Sequence, residues 1–130
     1  MSKTALIVDD DGASLRLYTL LLQQAGMTVT PARNGLEALR FALDQRPDLV
    51  ITDVRLPLLS GFELIKEVRR HPLLRHVPVI VITAMATAEN RVRAFEAGCN
   101  AYLIKPTSVL TFLNTVREVL AQESPVPQHA

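Results

Sequence analysis

Residues 7–12 read Ile-Val-Asp-Asp-Asp-Gly, three carboxylates set directly behind an apolar run. Like charges this close repel one another, and burial strengthens the repulsion. Three further polar residues follow apolar runs in the same way. Asp53 comes after Leu49-Val50-Ile51-Thr52, Thr83 ends Val79-Ile80-Val81-Ile82, and Lys105 comes after Ala101-Tyr102-Leu103-Ile104. Acids that remain ionised side by side need a cation, and hard oxygen donors without His or Cys suit Mg2+, with Mn2+ a possible substitute. A lysine adds a point charge for an anion such as a phosphoryl group, and a threonine adds a hydroxyl donor. Asp53 is then the candidate nucleophile, since a carboxylate can carry a phosphoryl group. The metal and Lys105 would neutralise the charge developing on that group.

These residues meet only if the apolar runs are strands of one sheet. Five short runs qualify: 4–8, 27–30, 48–52, 78–83 and 101–104. Those at 48–52 and 78–83 are apolar without alternation, as expected for parallel strands covered on both faces. Between the runs, apolar residues recur at helical spacing: Leu15, Tyr18 and Leu22; Leu36, Leu39, Ala42 and Leu43; Leu64, Ile65 and Val68; Val92 and Phe95; Leu110, Leu113, Val116 and Leu120. Asn34 with Glu37, and Ser60 with Glu63, have N-cap spacing. Thr107 or Ser108 can cap the last helix, Asp11 suits the start of the first, and Gly26 and Gly98 stand where helices stop. Five strand–helix units imply an α/β fold, a doubly wound five-stranded parallel sheet with helices on both faces. In such sheets ligands bind beyond the carboxyl ends of the strands, where four of the five runs deliver polar groups.

The totals exclude other classes. A net charge of +1 argues against nucleic-acid or membrane binding through bulk charge. No run approaches the roughly 20 apolar residues of a membrane span. One cysteine, Cys99, allows no internal disulfide and suits a reducing, cytoplasmic setting. Arg69, Arg70 and Arg75 read as a solvated basic face, with no aromatic platform for nucleic acid. The expected division is one domain over 1–122 and a tail or linker start over 123–130, where periodicity ends and Pro appears.

The motifs Ile-Val-Asp-Asp (7–10), Thr-Asp-Val-Arg-Leu-Pro-Leu-Leu-Ser-Gly (52–61), Val-Ile-Thr-Ala (81–84) and Ala-Tyr-Leu-Ile-Lys-Pro (101–106) together resemble the receiver domain of two-component response regulators. The fold implied is the flavodoxin-like or CheY-like (βα)5 arrangement. The resemblance implies that Asp53 accepts a phosphoryl group from a histidine kinase or phosphotransfer protein. It implies Mg2+ on Asp10 and Asp53, with Asp9 alongside and the main-chain carbonyl of Arg55 completing the protein ligands. It implies that Thr83 and Lys105 hold the phosphoryl group, that Pro106 follows a cis peptide bond, and that Tyr102 is a switch aromatic. The responsive face would run through helix four, strand five and helix five, with Arg91, Ala94, Tyr102 and residues 109–112, toward a downstream protein partner. Residues 98–120 resemble single-domain regulators of the DivK type, monomers or weak dimers without direct nucleic-acid or membrane contact.

Arg55, Met85 and Thr107 depart from common family choices. Arg55 and Met85 bear on phosphoryl lifetime, and Thr107 points away from the large DNA-binding subfamilies. Such a domain is a signalling module and not a metabolic enzyme. The competing readings are a Mg2+-dependent phosphatase, a nucleotide-binding fold, and a degenerate receiver that binds partners without phosphorylation. A phosphatase of the aspartyl-phosphate kind wants an acid two residues after Asp53, where Arg55 stands. A nucleotide fold wants a Gly-rich turn where residues 8–14 supply carboxylates.

Overall fold

Alternate residues of the inner strands go to opposite sides of one sheet. The computed structural model describes residues 3–122; the expected tail, 123–130, lies outside the described residues. The strands are β1 (Thr4–Val8), β2 (Thr28–Ala32), β3 (Leu49–Thr52), β4 (Val79–Thr83) and β5 (Ala101–Ile104). All pair in parallel, in the order β2-β1-β3-β4-β5. The helices are α1 (Gly12–Gln24), α2 (Gly35–Gln45), α3 (Gly61–Arg70), α4 (Ala88–Ala97) and α5 (Val109–Ala121). This is the expected doubly wound α/β fold.

Ala5, Ile7, Leu49, Ile51, Ile80 and Ile82 face α1 and α5, where Leu15, Tyr18 and Leu22 meet Phe112, Val116 and Val119. The Tyr18 and Phe112 rings pack with centroids 4.9 Å apart. Leu6, Val8, Val50, Val79 and Val81 face the other way, toward Ala38 and Ala42 of α2, Leu64, Ile65 and Val68 of α3, and Ala94 and Ala97 of α4. Both faces of the inner strands are thus covered, as their unbroken apolar composition requires.

The caps follow the expected residues. Asp11, Asn34, Ser60 and Ser108 each accept a backbone N–H of their own helix, and Ser60 with Glu63 completes a capping box. Thr87 does the same for α4.

Three expectations need correction. The second strand extends to Ala32, so Pro31 lies inside it. Thr28 donates its N–H to the Lys3 carbonyl and the Ala32 carbonyl accepts from Asp9. Even-numbered positions therefore face β1, and Pro31, which has no N–H, faces the open edge.

The buried faces of three helices also differ. Leu36, Leu43, Val92, Phe95 and Leu110 are exposed, while Ala38, Ala42, Ala94, Ala97 and Phe112 are buried. Small residues let α2 and α4 approach closely, and their larger neighbours turn outward. Ala94 and Phe112 consequently do not belong to a responsive surface.

Arg69 is the third. It is no solvated cation: its guanidinium donates to the carbonyls of Gly98 (2.7 and 2.9 Å), Val77 (2.6 Å) and Arg75 (3.0 Å) and to Asn100 Oδ1 (3.0 Å). Burial pushes its pKa down, and these acceptors offset the lost hydration. It ties the chain before β4 to the chain before β5. Arg70 and Arg75 are exposed as expected.

Candidate functional site

The direction of winding changes between β1 and β3, and the chain opens a crevice there at the carboxyl end of the sheet. Asp9 leaves β1 into this crevice and Asp53 leaves β3. Both are buried, at 4% and 8% exposure. The register pairs Val8 with Thr52, so the two acids come off adjacent strands at the same level. Lys105 comes off β5 and reaches both of them. Its Nζ donates to Asp9 Oδ2 at 2.7 Å and to Asp53 Oδ2 at 2.9 Å. Its own N–H is anchored on the Thr83 carbonyl at 2.8 Å. The Lys105–Pro106 peptide bond is cis.

The other oxygens are also engaged. Asp53 Oδ1 accepts the Val54 N–H at 2.6 Å, and Asp9 Oδ1 accepts the Asp11 N–H at 3.0 Å. Burial raises the Asp9 pKa, and the hydrogen bonds from Lys105 and Asp11 only partly offset it. Burial would lower Lys105, but its bonds and charge contacts with Asp9 and Asp53 outweigh that and hold it above the usual lysine value. Asp11 turns away to cap α1; its bonds from Ser14 lower its pKa. Asp10 is exposed.

The loop after Asp53 closes tightly. Gly61 donates its N–H to Val54 at 2.8 Å, and a Cβ on Gly61 would lie 2.1 Å from the Asp53 carbonyl oxygen. Only glycine lets α3 begin so close to Asp53. The resulting cleft, about 400 Å³, is lined by Asp9, Asp10, Asp11, Asp53, Arg55, Thr83, Ala84 and Met85.

Thr83 is buried, and its Oγ1 accepts the Met85 N–H at 3.3 Å. The Met85 carbonyl accepts the Tyr102 hydroxyl at 2.6 Å. The backbone of one residue, Met85, thus connects the cleft to the tyrosine of β5. This link runs through main-chain atoms, so no residue pattern announces it. Tyr102 is buried, with the Arg91 guanidinium 5.9 Å from its ring centroid and 5.1 Å from that of Phe95.

The structure therefore brings Asp9, Asp53, Thr83 and Lys105 together, puts Asp10 and Arg55 on the same cleft, and connects Tyr102 to it. Among the described residues no three His, Cys, Asp or Glu side chains are grouped closely enough to hold an ion by themselves. Lys105 takes the charge-compensating place between Asp9 and Asp53.

The fold is a doubly wound α/β domain whose switch point carries acids from two strands and a lysine from a third. The response regulator receiver domain family matches residues 5–117, and the chain belongs to that family. It is 40% identical over 120 residues to the polar-differentiation response regulator DivK of Brucella anthropi, covering 92% of this chain and 98% of the relative. Among solved structures it is similar to chemotaxis response regulator CheY4 of Vibrio cholerae, at 32% identity and TM-score 0.87 over 92% and 99% of the two chains. It is equally similar in fold to the receiver domain of a Pseudomonas aeruginosa sensor histidine kinase that has a magnesium ion coordinated in its active-site cleft. That match has 30% identity and TM-score 0.87 over 94% and 100%. The chain is a receiver domain of two-component signalling, a family whose members are generally signalling domains.

Proposed function

We propose that Asp53 accepts a phosphoryl group from the phosphorylated histidine of a sensor kinase or phosphotransfer protein, and that the modified domain then changes its binding to a downstream protein. The observation that carries this is one ammonium, Lys105, shared at 2.7 and 2.9 Å by two buried carboxylates beside the Thr83 hydroxyl. One oxygen of Asp53 attacks phosphorus, the new P–O bond forms as the P–N bond breaks, and the imidazole leaves with the bonding pair. Lys105, held charged by its neighbours, moves with the carboxylate and pairs with the phosphoryl oxygens.

Four carboxylates, Asp9, Asp10, Asp11 and Asp53, border the cleft against that single ammonium; Asp11 is engaged in capping α1, and the other three offer hard oxygen donors. With the Arg55 main-chain carbonyl added, this set suits a divalent ion on Asp10 and Asp53, with Asp9 alongside. When bound, Mg2+, or Mn2+ in its place, supplies charge neutralisation at the transferred group. Arg55 and Met85, at the mouth of the cleft, tune how long the group persists.

The Thr83 hydroxyl turns to donate to the phosphoryl group and gives up the Met85 N–H. The Met85 peptide then shifts, and with it the acceptor of the Tyr102 hydroxyl. Phosphorylation so biases two arrangements of the surface made by α4, β5 and α5. Val92, Phe95, Ile104, Val109 and Leu110 are all exposed on these elements and form the apolar part of that surface. The protein works in the cytoplasm, where ATP-dependent kinases operate, as a monomer or weak dimer, through protein partners and without direct nucleic-acid or membrane contact.

The test is intact-mass measurement after incubation with acetyl phosphate and Mg2+, with Asp53→Asn in parallel. A gain of one phosphoryl group in the wild type alone, abolished by chelator, is the expected result. A folded wild type that gains nothing from acetyl phosphate or from any phosphorylated donor protein overturns the reading.

A further inference from the structure

Two non-glycine residues among those described have a positive φ, Arg46 at +48° and Leu58 at +73°. Arg46 terminates α2, where a left-handed residue is ordinary. Leu58 terminates nothing. The Leu59 N–H donates to the Pro57 carbonyl at 2.8 Å and closes a three-residue turn about Leu58. With a positive φ at its centre this is the rare, strained hand of the γ-turn. Glycine or asparagine would suit it better than leucine.

The surroundings explain the turn. The Pro57 carbonyl also accepts the Gly35 N–H at the start of α2, at 3.4 Å. A Cβ on Gly35 would lie 2.0 Å from the Leu59 carbonyl oxygen, so the loop and helix are pressed together. Leu59 turns in and packs on the core. None of this calls for leucine at position 58. Its side chain is 72% exposed, so the chain holds a large apolar group in solvent on a backbone that disfavours it. Pro57 is exposed beside it, and Leu36, next to Gly35, is exposed on the first turn of α2. The turn belongs to the loop that starts at Asp53 and returns to it at Gly61. A small donor such as acetyl phosphate needs nothing from this corner. A protein that brings a phosphohistidine to Asp53 must sit over it.

We propose that Leu58, with Pro57 and Leu36 around it, is an apolar contact residue for the protein that delivers the phosphoryl group, and so helps select the donor. This rests on the reading of Asp53 as phosphoacceptor. The occupant is the donor because Leu58 stands on the loop that leaves Asp53 and closes back on it at Gly61, a loop whose Arg55 lines the cleft, whereas the exposed apolar residues of α4, β5 and α5 lie toward the other edge of the sheet.

The probe is an autophosphorylated kinase core: cores from the source organism are profiled against the wild-type chain, and the one with the fastest transfer is used. Leu58→Asn and Leu58→Gly both relieve the turn, so each melts at or about 3 °C above the wild type. Each labels from acetyl phosphate at the wild-type rate. With the kinase, KM rises about tenfold at unchanged kcat, as for loss of a central apolar contact, and Leu58→Met keeps the wild-type KM. An unchanged KM in both variants overturns the proposal, including when binding to a downstream partner is lost instead. Equal slowing with acetyl phosphate also overturns it, since the residue would then shape the cleft and not the contact. If acetyl phosphate labels Asp53 but no donor protein does, the contact falls and Asp53 stands. If neither labels it, the Asp53 reading itself has failed.

Discussion

The Lys105 ammonium lies nearer to Asp9, at 2.7 Å, than to Asp53, at 2.9 Å, so the lysine is held in part by a residue other than the proposed phosphoacceptor. Asp9 nonetheless stays hard to ionise, because burial outweighs what Lys105 and the Asp11 N–H return. A carboxyl whose folded pKa exceeds its unfolded value of 3.8 destabilises the fold progressively as pH rises from 3.8 through the folded pKa. Asp9→Asn is therefore expected to stabilise the metal-free protein at pH 7 by about 1 kcal/mol, while Lys105 keeps Asp53. The gain disappears below about pH 3.8. Urea titration of both proteins at pH 7 and pH 3.5 checks this, and a destabilised variant at pH 7 would refute it.

Arg69 binds carbonyls and an amide where an ion pair would be expected, so salt has little to screen. Arg69→Ala should cost about 1.5–3 kcal/mol, the range for hydrogen bonds to a charged donor. The loss should be nearly equal at low and high ionic strength. Thermal melts of wild type and variant across a salt series measure it.

Cys99 is buried, and that burial pushes its thiol up to about 11. At pH 8 the folded protein should leave Ellman's reagent unreacted, and urea should release one reactive thiol. An acid with a raised folded pKa loses stability as pH rises from its unfolded value. The fold should therefore weaken between pH 9 and pH 11 by an amount on the order of 2 kcal/mol from this group.

Tyr102 holds the Met85 carbonyl from one side while Thr83 holds the Met85 N–H from the other. Tyr102→Phe removes a single hydrogen bond at a cost of about 1 kcal/mol. Labelling of Asp53 by acetyl phosphate should persist. Amide resonances of Phe95 and Ile104 should lose most of the displacement that beryllofluoride causes in the wild type. Full displacement in the variant would mean the signal passes elsewhere.

Much of this arrangement could be read from residue order because two rules operate at short range. Strands covered on both faces must be apolar throughout, which marked the inner strands, and polar residues directly behind them must lie at one edge. Caps are equally local: Asn34, Ser60 and Ser108 act within three residues of themselves. The faces of α2, α4 and α5 were less readable. Leu36 and Ala38 both sit at helical spacing to later apolar residues, and periodicity does not say which stripe turns inward when both contain apolar side chains. Arg69 and the Met85 peptide escaped for a different reason. Arg69 bonds mainly main-chain carbonyls, and Met85 takes part through its own main-chain N–H and carbonyl, groups that are the same in every residue. The backbone at Leu58 escaped because leucine seldom adopts a positive φ.

Pro31 faces outward on β2, one of the two edge strands of the sheet. An intruding strand would find a missing donor where it needs one, so this edge cannot easily recruit a sixth strand from a neighbouring molecule. The domain is thereby guarded against growing into fibrils along its β2 ladder.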